Sequence, residues 1–106
     1  MPNQVEIIVY ERRDNTDRVA FGNAALASCR AIRAIEGITS AKFYWYYANS
    51  IVFIAEGERD VLDKLADNDH YVRALFEFND MSRLVRIMRL IDPRTGQETY
   101  QRAGRA

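Results

Sequence analysis

Along residues 4–12 (Gln-Val-Glu-Ile-Ile-Val-Tyr-Glu-Arg), Val5, Ile7 and Val9 alternate with Glu6, Ile8 and Tyr10. This period of two predicts a strand, and both of its faces carry apolar groups. The polar run 13–17 reads as a turn rich in helix-capping types. From about 17 to 36 the period becomes helical: Phe21, Ala25, Ser28, Ile32 and Ile35 make one face. Ala20, Ala24, Ala27, Ala31 and Ala34 keep this helix thin enough to lie close to a sheet, and Arg18, Arg30, Arg33 and Glu36 supply its wet side. Gly37 stands where a positive-φ cap is expected to end it.

Residues 38–47 and 50–56 read as two further strands joined by a turn at Ala48-Asn49-Ser50, an antiparallel hairpin. Its first strand holds the aromatic run Phe43-Tyr44-Trp45-Tyr46-Tyr47. Alternation places Phe43, Trp45 and Tyr47 on one face and Tyr44 and Tyr46 on the other. A second helix begins at 57–60 with Val61, Leu62 and Leu65 as its apolar side. It breaks at Asp67-Asn68-Asp69, each able to cap a new helix, and resumes over 70–79 with Val72, Leu75, Phe76 and Phe78 inward. Residues 84–91 fit two periods. As a helix, Met81, Leu84, Val85, Met88 and Ile91 form a stripe; as a strand, Leu84, Arg86, Met88 and Leu90 oppose Val85, Ile87, Arg89 and Ile91. The strand is preferred, because it gives the first strand a second neighbour and completes a β-α-β-β-α-β order. Residues 92–96 read as a turn, and the polar remainder as a loose arm.

That order is the split β-α-β arrangement of ferredoxin-like folds, an α+β class with a four-stranded antiparallel sheet and both helices on one face. One domain accounts for the 106 residues, with its core over 4–92 and the arm over 93–106. The sheet face away from the helices remains apolar and aromatic. Two such sheets packed face to face about a two-fold axis would cover it, so a homodimer is expected. The aromatic run is then either dimer core or the lining of a cavity that holds a ligand.

Charge narrows the partners. Lys plus Arg equals Asp plus Glu at 15 each, so no net field draws nucleic acid or an anionic membrane. Cys29 stands alone, which excludes an internal disulfide and a cysteine-based zinc site. No leader-like segment and no apolar run of the roughly 18 residues needed for a membrane span is present, so a cytoplasmic location is expected.

The order of elements, the length, and the stretch Tyr47-Ala48-Asn49-Ser50-Ile51-Val52-Phe53 leading into residues 58–65 resemble the dimeric α/β-barrel superfamily. That group includes small polyketide cyclases, antibiotic-biosynthesis monooxygenases, muconolactone isomerases and haem-degrading monooxygenases. The resemblance spans about residues 5–91 and is one of pattern. It implies a homodimer with one ligand cavity per subunit, between the sheet and the helices. Several members place a histidine near the position of His70. The haem-degrading pattern of Asn, Trp and His is matched at His70 alone, so the resemblance does not extend to haem oxygenation.

His70, the only histidine, titrates near neutral pH and can serve as acid or base, with Tyr44, Tyr46 or Tyr71 supplying a hydroxyl beside it. It can equally be a surface residue of a first helical turn. Trp45, with Tyr44 and Tyr46, can stack a planar substrate or fill an interface. Arg86 and Arg89 interrupt an apolar strand. Each needs an acidic substrate or an ion pair, for which Glu6 and Glu56 are the nearest carboxylates in the expected sheet. Cys29 reads as packing. No motif calls for a metal or another cofactor. Two functions fit. The first is a small homodimeric protein acting on an aromatic or polyketide-like molecule as a cofactor-independent cyclase, isomerase or monooxygenase, with His70 catalytic and Tyr44, Trp45, Tyr46, Arg86 and Arg89 holding the substrate. The second is a non-catalytic dimeric ligand-binding or assembly module. A pocket joining His70 to a Tyr or Arg favours the first, and a filled interior with His70 in solvent favours the second.

Overall fold

Asn3–Arg12 forms β1, Ile38–Tyr46 β2, Ser50–Glu58 β3 and Ser82–Leu90 β4 in the computed structural model, which describes residues 3–91. Arg18–Arg33 is α1, Arg59–Asp63 is α2, Leu65–Asp67 is one 3₁₀ turn, and Asp69–Met81 is α3. The sheet runs β2-β3-β1-β4, antiparallel throughout, which is the ferredoxin-like order expected from the sequence. The expected turn at 92–96 and the C-terminal arm lie outside the described residues.

The polar punctuation acts as its chemistry dictates. Asp17 caps α1 by accepting from the Ala20 N–H at 2.9 Å, and Asn68 caps α3 by accepting from Tyr71 N–H at 2.9 Å. The ambiguous segment is a strand. Its residues pair with β1 from Arg12↔Ser82 to Val5↔Leu90, with one bulge beside Val9, because the open edge of β1 offers a ladder that outweighs the helical stripe.

Four expectations shift. α1 ends at Arg33 rather than 36, and its C-cap is Ala34; Gly37 does take positive φ, 95°, but in the turn beyond. β3 runs on through Gly57 to Glu58, since Gly57 pairs with both Gln4 and Ile38. Tyr47 leaves the face of Phe43 and Trp45: it turns the hairpin at φ 55° and is exposed. Phe76, 71% exposed, and Val72 point outward rather than inward, because Tyr71 and Phe78, one heptad apart, set the buried side of α3.

Both long helices cover one face of the sheet. Beneath them Phe78, fully buried, stacks on Phe21 at 5.1 Å and meets the edges of Tyr10 and Phe53 at 4.8 and 5.2 Å. The other face carries Ile7, Val9, Val52 and Ile54, half-buried, with Tyr44 and Tyr46 exposed beside them. Among the described residues no helix is long and apolar enough to cross a membrane.

Candidate functional site

Period two on β1 sends Glu6, Ile8 and Tyr10 toward the helices, where α1 contributes Ser28 and Ile32 and α3 contributes Tyr71 and Leu75, each pair four residues apart. With Phe53, Ala55 and Leu65 they enclose a small cavity between sheet and helices. The space open to water centres is about 10 Å³, room for a single water molecule. Its wall is mostly aliphatic and aromatic, and its polar groups are one carboxylate, two phenols and one serine.

These polar groups have distinct states. Burial, and then the negative charge of Glu6, raise the pKa of Tyr10. Burial raises that of Tyr71 further, with smaller contributions from Tyr10, Glu6 and Cys29. Both therefore remain neutral phenols at physiological pH, with an O–H able to donate a hydrogen bond. Ser28 Oγ is spent on the Ala24 carbonyl at 3.1 Å. Glu6 Oε1 accepts from Arg89 Nη2 at 2.8 Å. Arg89 Nη1 donates to Gln4 Oε1 at 3.0 Å and to Asp63 Oδ1 at 2.9 Å. Burial lowers the Arg89 pKa, but hydrogen bonds to Glu6 and Asp63 outweigh it and raise the net value, so the guanidinium stays a cation. Its Nε is buried and has no acceptor among the described residues.

The residues singled out in the sequence are dispersed. His70 is exposed on α3, one position and about a quarter-turn from the buried Tyr71. It borders an open groove between α1 and α3 with Arg30, Arg73 and Glu77, on the side of the helices away from the sheet. Trp45 is inward and half-buried, packed on Phe21 at 5.8 Å with the Arg18 guanidinium 4.0 Å above its ring. Tyr44 and Tyr46 lie on the open sheet face at the β2 edge, and Arg86, paired with Val9, lies exposed on the same face at the opposite edge, β4. Of the residues singled out, Tyr71 lines the cavity and Arg89 meets it through Glu6, and the ion pair weighed for Arg89 is the one formed. Cys29 is buried, and burial pushes its thiol up to about 11 against a smaller lowering by Arg33, which leaves it a packing residue.

Glu6, Tyr10, Ser28 and Tyr71 form the polar corner, and the sequence reading assigned site roles to none of them beyond a hydroxyl for Tyr71. A signal existed: Glu6 is a carboxylate on the same strand face as Ile8 and Tyr10, both buried. No group of three or more His, Cys, Asp or Glu side chains arranged to hold a metal occurs among the described residues.

No protein-family model matches the chain, and no curated protein matches it. Solved structures do. Rv0793 from Mycobacterium tuberculosis is 20% identical, with a TM-score of 0.73 over 86% of this chain and 95% of that one. SnoaB, a cofactor-independent oxygenase from Streptomyces nogalater, is 9% identical, with a TM-score of 0.76 over 87% and 94%. A dimeric protein of unknown function and ferredoxin-like fold from Bacteroides fragilis is 14% identical, with a TM-score of 0.68 over 85% and 96%. The expected resemblance thus holds as a shared fold.

Proposed function

We propose that this protein is a homodimer that binds a small aromatic or polyketide-like molecule in the cavity between sheet and helices and acts on it by proton transfer. One observation carries the reading: Glu6, Tyr10 and Tyr71 converge on a wall that, Ser28 apart, is otherwise apolar. A carboxylate facing neutral phenols is a base beside hydrogen-bond donors. Glu6 takes the proton from a C–H next to a ring carbonyl, and Tyr71 or Tyr10 donates to the enolate oxygen that forms. Returning the proton at another carbon isomerises the substrate, attack of the enolate carbon on a second carbonyl cyclises it, and the electron-rich enolate is the form that dioxygen oxidises. The likeness in fold to a cofactor-independent oxygenase supports this class of chemistry. The dimeric protein of the same fold supports the two-fold assembly, as does the open sheet face. The acid–base work that the sequence assigned to His70 passes to Glu6 in this reading.

The exposed His70 and the nearly filled interior rule out the catalytic reading in its His70 form and favour a second reading, the non-catalytic dimeric module. With room for one water, the cavity accepts a bicyclic ligand only if Leu65, on its three-residue 3₁₀ turn, and Leu75 move aside. Hydrogen–deuterium exchange of 2-tetralone in D₂O, followed by proton NMR, separates the two. The catalytic reading expects exchange above the buffer rate and its loss by roughly 100-fold in Glu6→Gln, with the fold kept by circular dichroism. Exchange no faster than buffer, with no change in the amide signal of Tyr71, supports the module.

A further inference from the structure

Asp63 differs from the other partners of Arg89. Gln4 and Glu6 are inward residues of β1, Glu6 fixed between the β3 and β4 ladders and Gln4 by the β3 ladder. Asp63 ends the five-residue α2, and its side chain is half in solvent. It stands two residues before Leu65, which is part of the cavity wall. The guanidinium therefore lies between a fixed carboxylate inside and a loosely held one at the rim. Asp63 reaches it through a single oxygen, Oδ1, while its Oδ2 lies 3.7 Å from Arg59 Nε in a solvent-exposed pair. A planar guanidinium is built to take carboxylates through two parallel bonds, and the one-oxygen contact with Asp63 leaves that capacity unused.

Resting on the cavity reading above, we propose that Arg89 is the recognition point for a carboxylate on the ligand, and that Asp63 holds this place in competition with it. An aromatic carboxylate entering at α2 would place its ring between Leu65 and Tyr71. Its carboxylate would take the Nη1 position from Asp63. The exchange leaves the charge count around Arg89 unchanged, one cation to two carboxylates, so Glu6 keeps its partner. Displacing Asp63 removes one side-chain tie between α2 and the sheet, while the buried Leu62 still anchors that helix.

The test compares 1-naphthoate with its uncharged isostere 1-naphthamide, titrated against the whole chain by amide NMR and calorimetry. Naphthoate is expected to bind about tenfold more tightly, with the shifts centred on Leu65 and Tyr71. Asp63→Asn should tighten naphthoate roughly threefold and leave naphthamide unchanged. Asp60→Asn, which removes an equal charge from the same short helix away from Arg89, should change neither. Arg89→Gln should abolish the preference for naphthoate. Because that variant loses a sheet contact, the Asp63→Asn comparison decides the matter if it does not fold. Equal affinity of the two compounds in the cavity overturns the carboxylate assignment alone. Equal gains from Asp60→Asn and Asp63→Asn do the same. Shifts from neither compound at Leu65 and Tyr71 overturn both this inference and the cavity reading.

Discussion

Arg89 Nη2 and Glu6 Oε1 lie 2.8 Å apart across a ladder pair of β4 and β1, with side chains 25% and 14% exposed. Both charges are largely withdrawn from water, so each depends on the other. Removing the cation strands the carboxylate among Ile8, Tyr10 and Tyr71. Arg89→Met is expected to cost about 2–3 kcal/mol in urea denaturation, below the 3–5 kcal/mol of fully buried pairs because some solvent remains. Glu6→Gln should cost less, since its amide oxygen still accepts from Nη2. The double variant should be less damaged than the sum of the two, the mark of a coupled pair. Additive losses would mean that the two side chains stabilise the sheet independently.

Phe78 joins three elements in one aromatic cluster, touching α1 through Phe21, β1 through Tyr10 and β3 through Phe53. Truncation leaves a void bounded by rigid rings, which collapse poorly. Phe78→Ala should lose about 3–5 kcal/mol and Phe78→Leu roughly 1–2 kcal/mol. Phe76, two residues earlier and exposed, is the internal contrast: Phe76→Ala should stay within about 0.5 kcal/mol.

Two glycines hold the end of the β2–β3 ladder. Gly37 has φ 95°, and a Cβ there would lie 2.6 Å from Val61 Cγ2. A Cβ on Gly57 would lie 2.6 Å from the backbone oxygen of Gly37. The obstacle at Gly57 is backbone, which cannot rotate away, whereas a valine methyl can. Gly57→Ala is therefore expected to be the more damaging of the two, and each should lower the thermal midpoint, by about 4–8 °C per kcal/mol lost. Equal or reversed effects would indicate that the positive φ of Gly37, not crowding, dominates.

Element order, the capping stretches 13–17 and 67–69 and the strand character of β4 were legible because each follows from local pattern or from the needs of the whole sheet, although which residue of each stretch caps was not. Tyr47 was not: no Gly or Asn marks the left-handed turn position, so strand alternation carried one residue too far. The site was less legible for a different reason. His70 and Tyr71 are neighbours in sequence, yet a helix places them on different sides, so the titratable residue faces solvent and the phenol lines the cavity. Glu6 read as an ion-pair partner because its role depends on residues of α1 and α3 that no strand pattern can bring to it.

The open face of the sheet gives a direct test of assembly. Ile54 pairs with Ile7 and Lys42, near the middle of a face that also carries Val9, Val52 and Met88. A two-fold sheet–sheet contact would bury that row. Ile54→Lys should convert a dimer to a monomer in light scattering while leaving the far-ultraviolet circular dichroism unchanged, because the side chain points away from the helices. A wild-type chain already monomeric at micromolar concentration would remove the dimer from the proposed function.

Cys29 gives the stability curve its alkaline limb. Burial raises the folded thiol to about 11 from an ordinary 9.0. Between these values the unfolded chain releases its proton while the folded chain keeps it. The folded state then binds more protons, so stability falls as pH rises through this window and is fully present below it. The loss should reach about 2 kcal/mol by pH 11, given about 1.4 kcal/mol per pH unit. Tyr10 and Tyr71, also raised by burial, add a further decline above pH 10. Urea midpoints of wild type and Cys29→Ala, compared from pH 8 to pH 11, isolate the thiol. The variant is expected to start less stable and to lose less with pH, so the two curves converge; parallel curves would mean that the phenols alone set the alkaline limit.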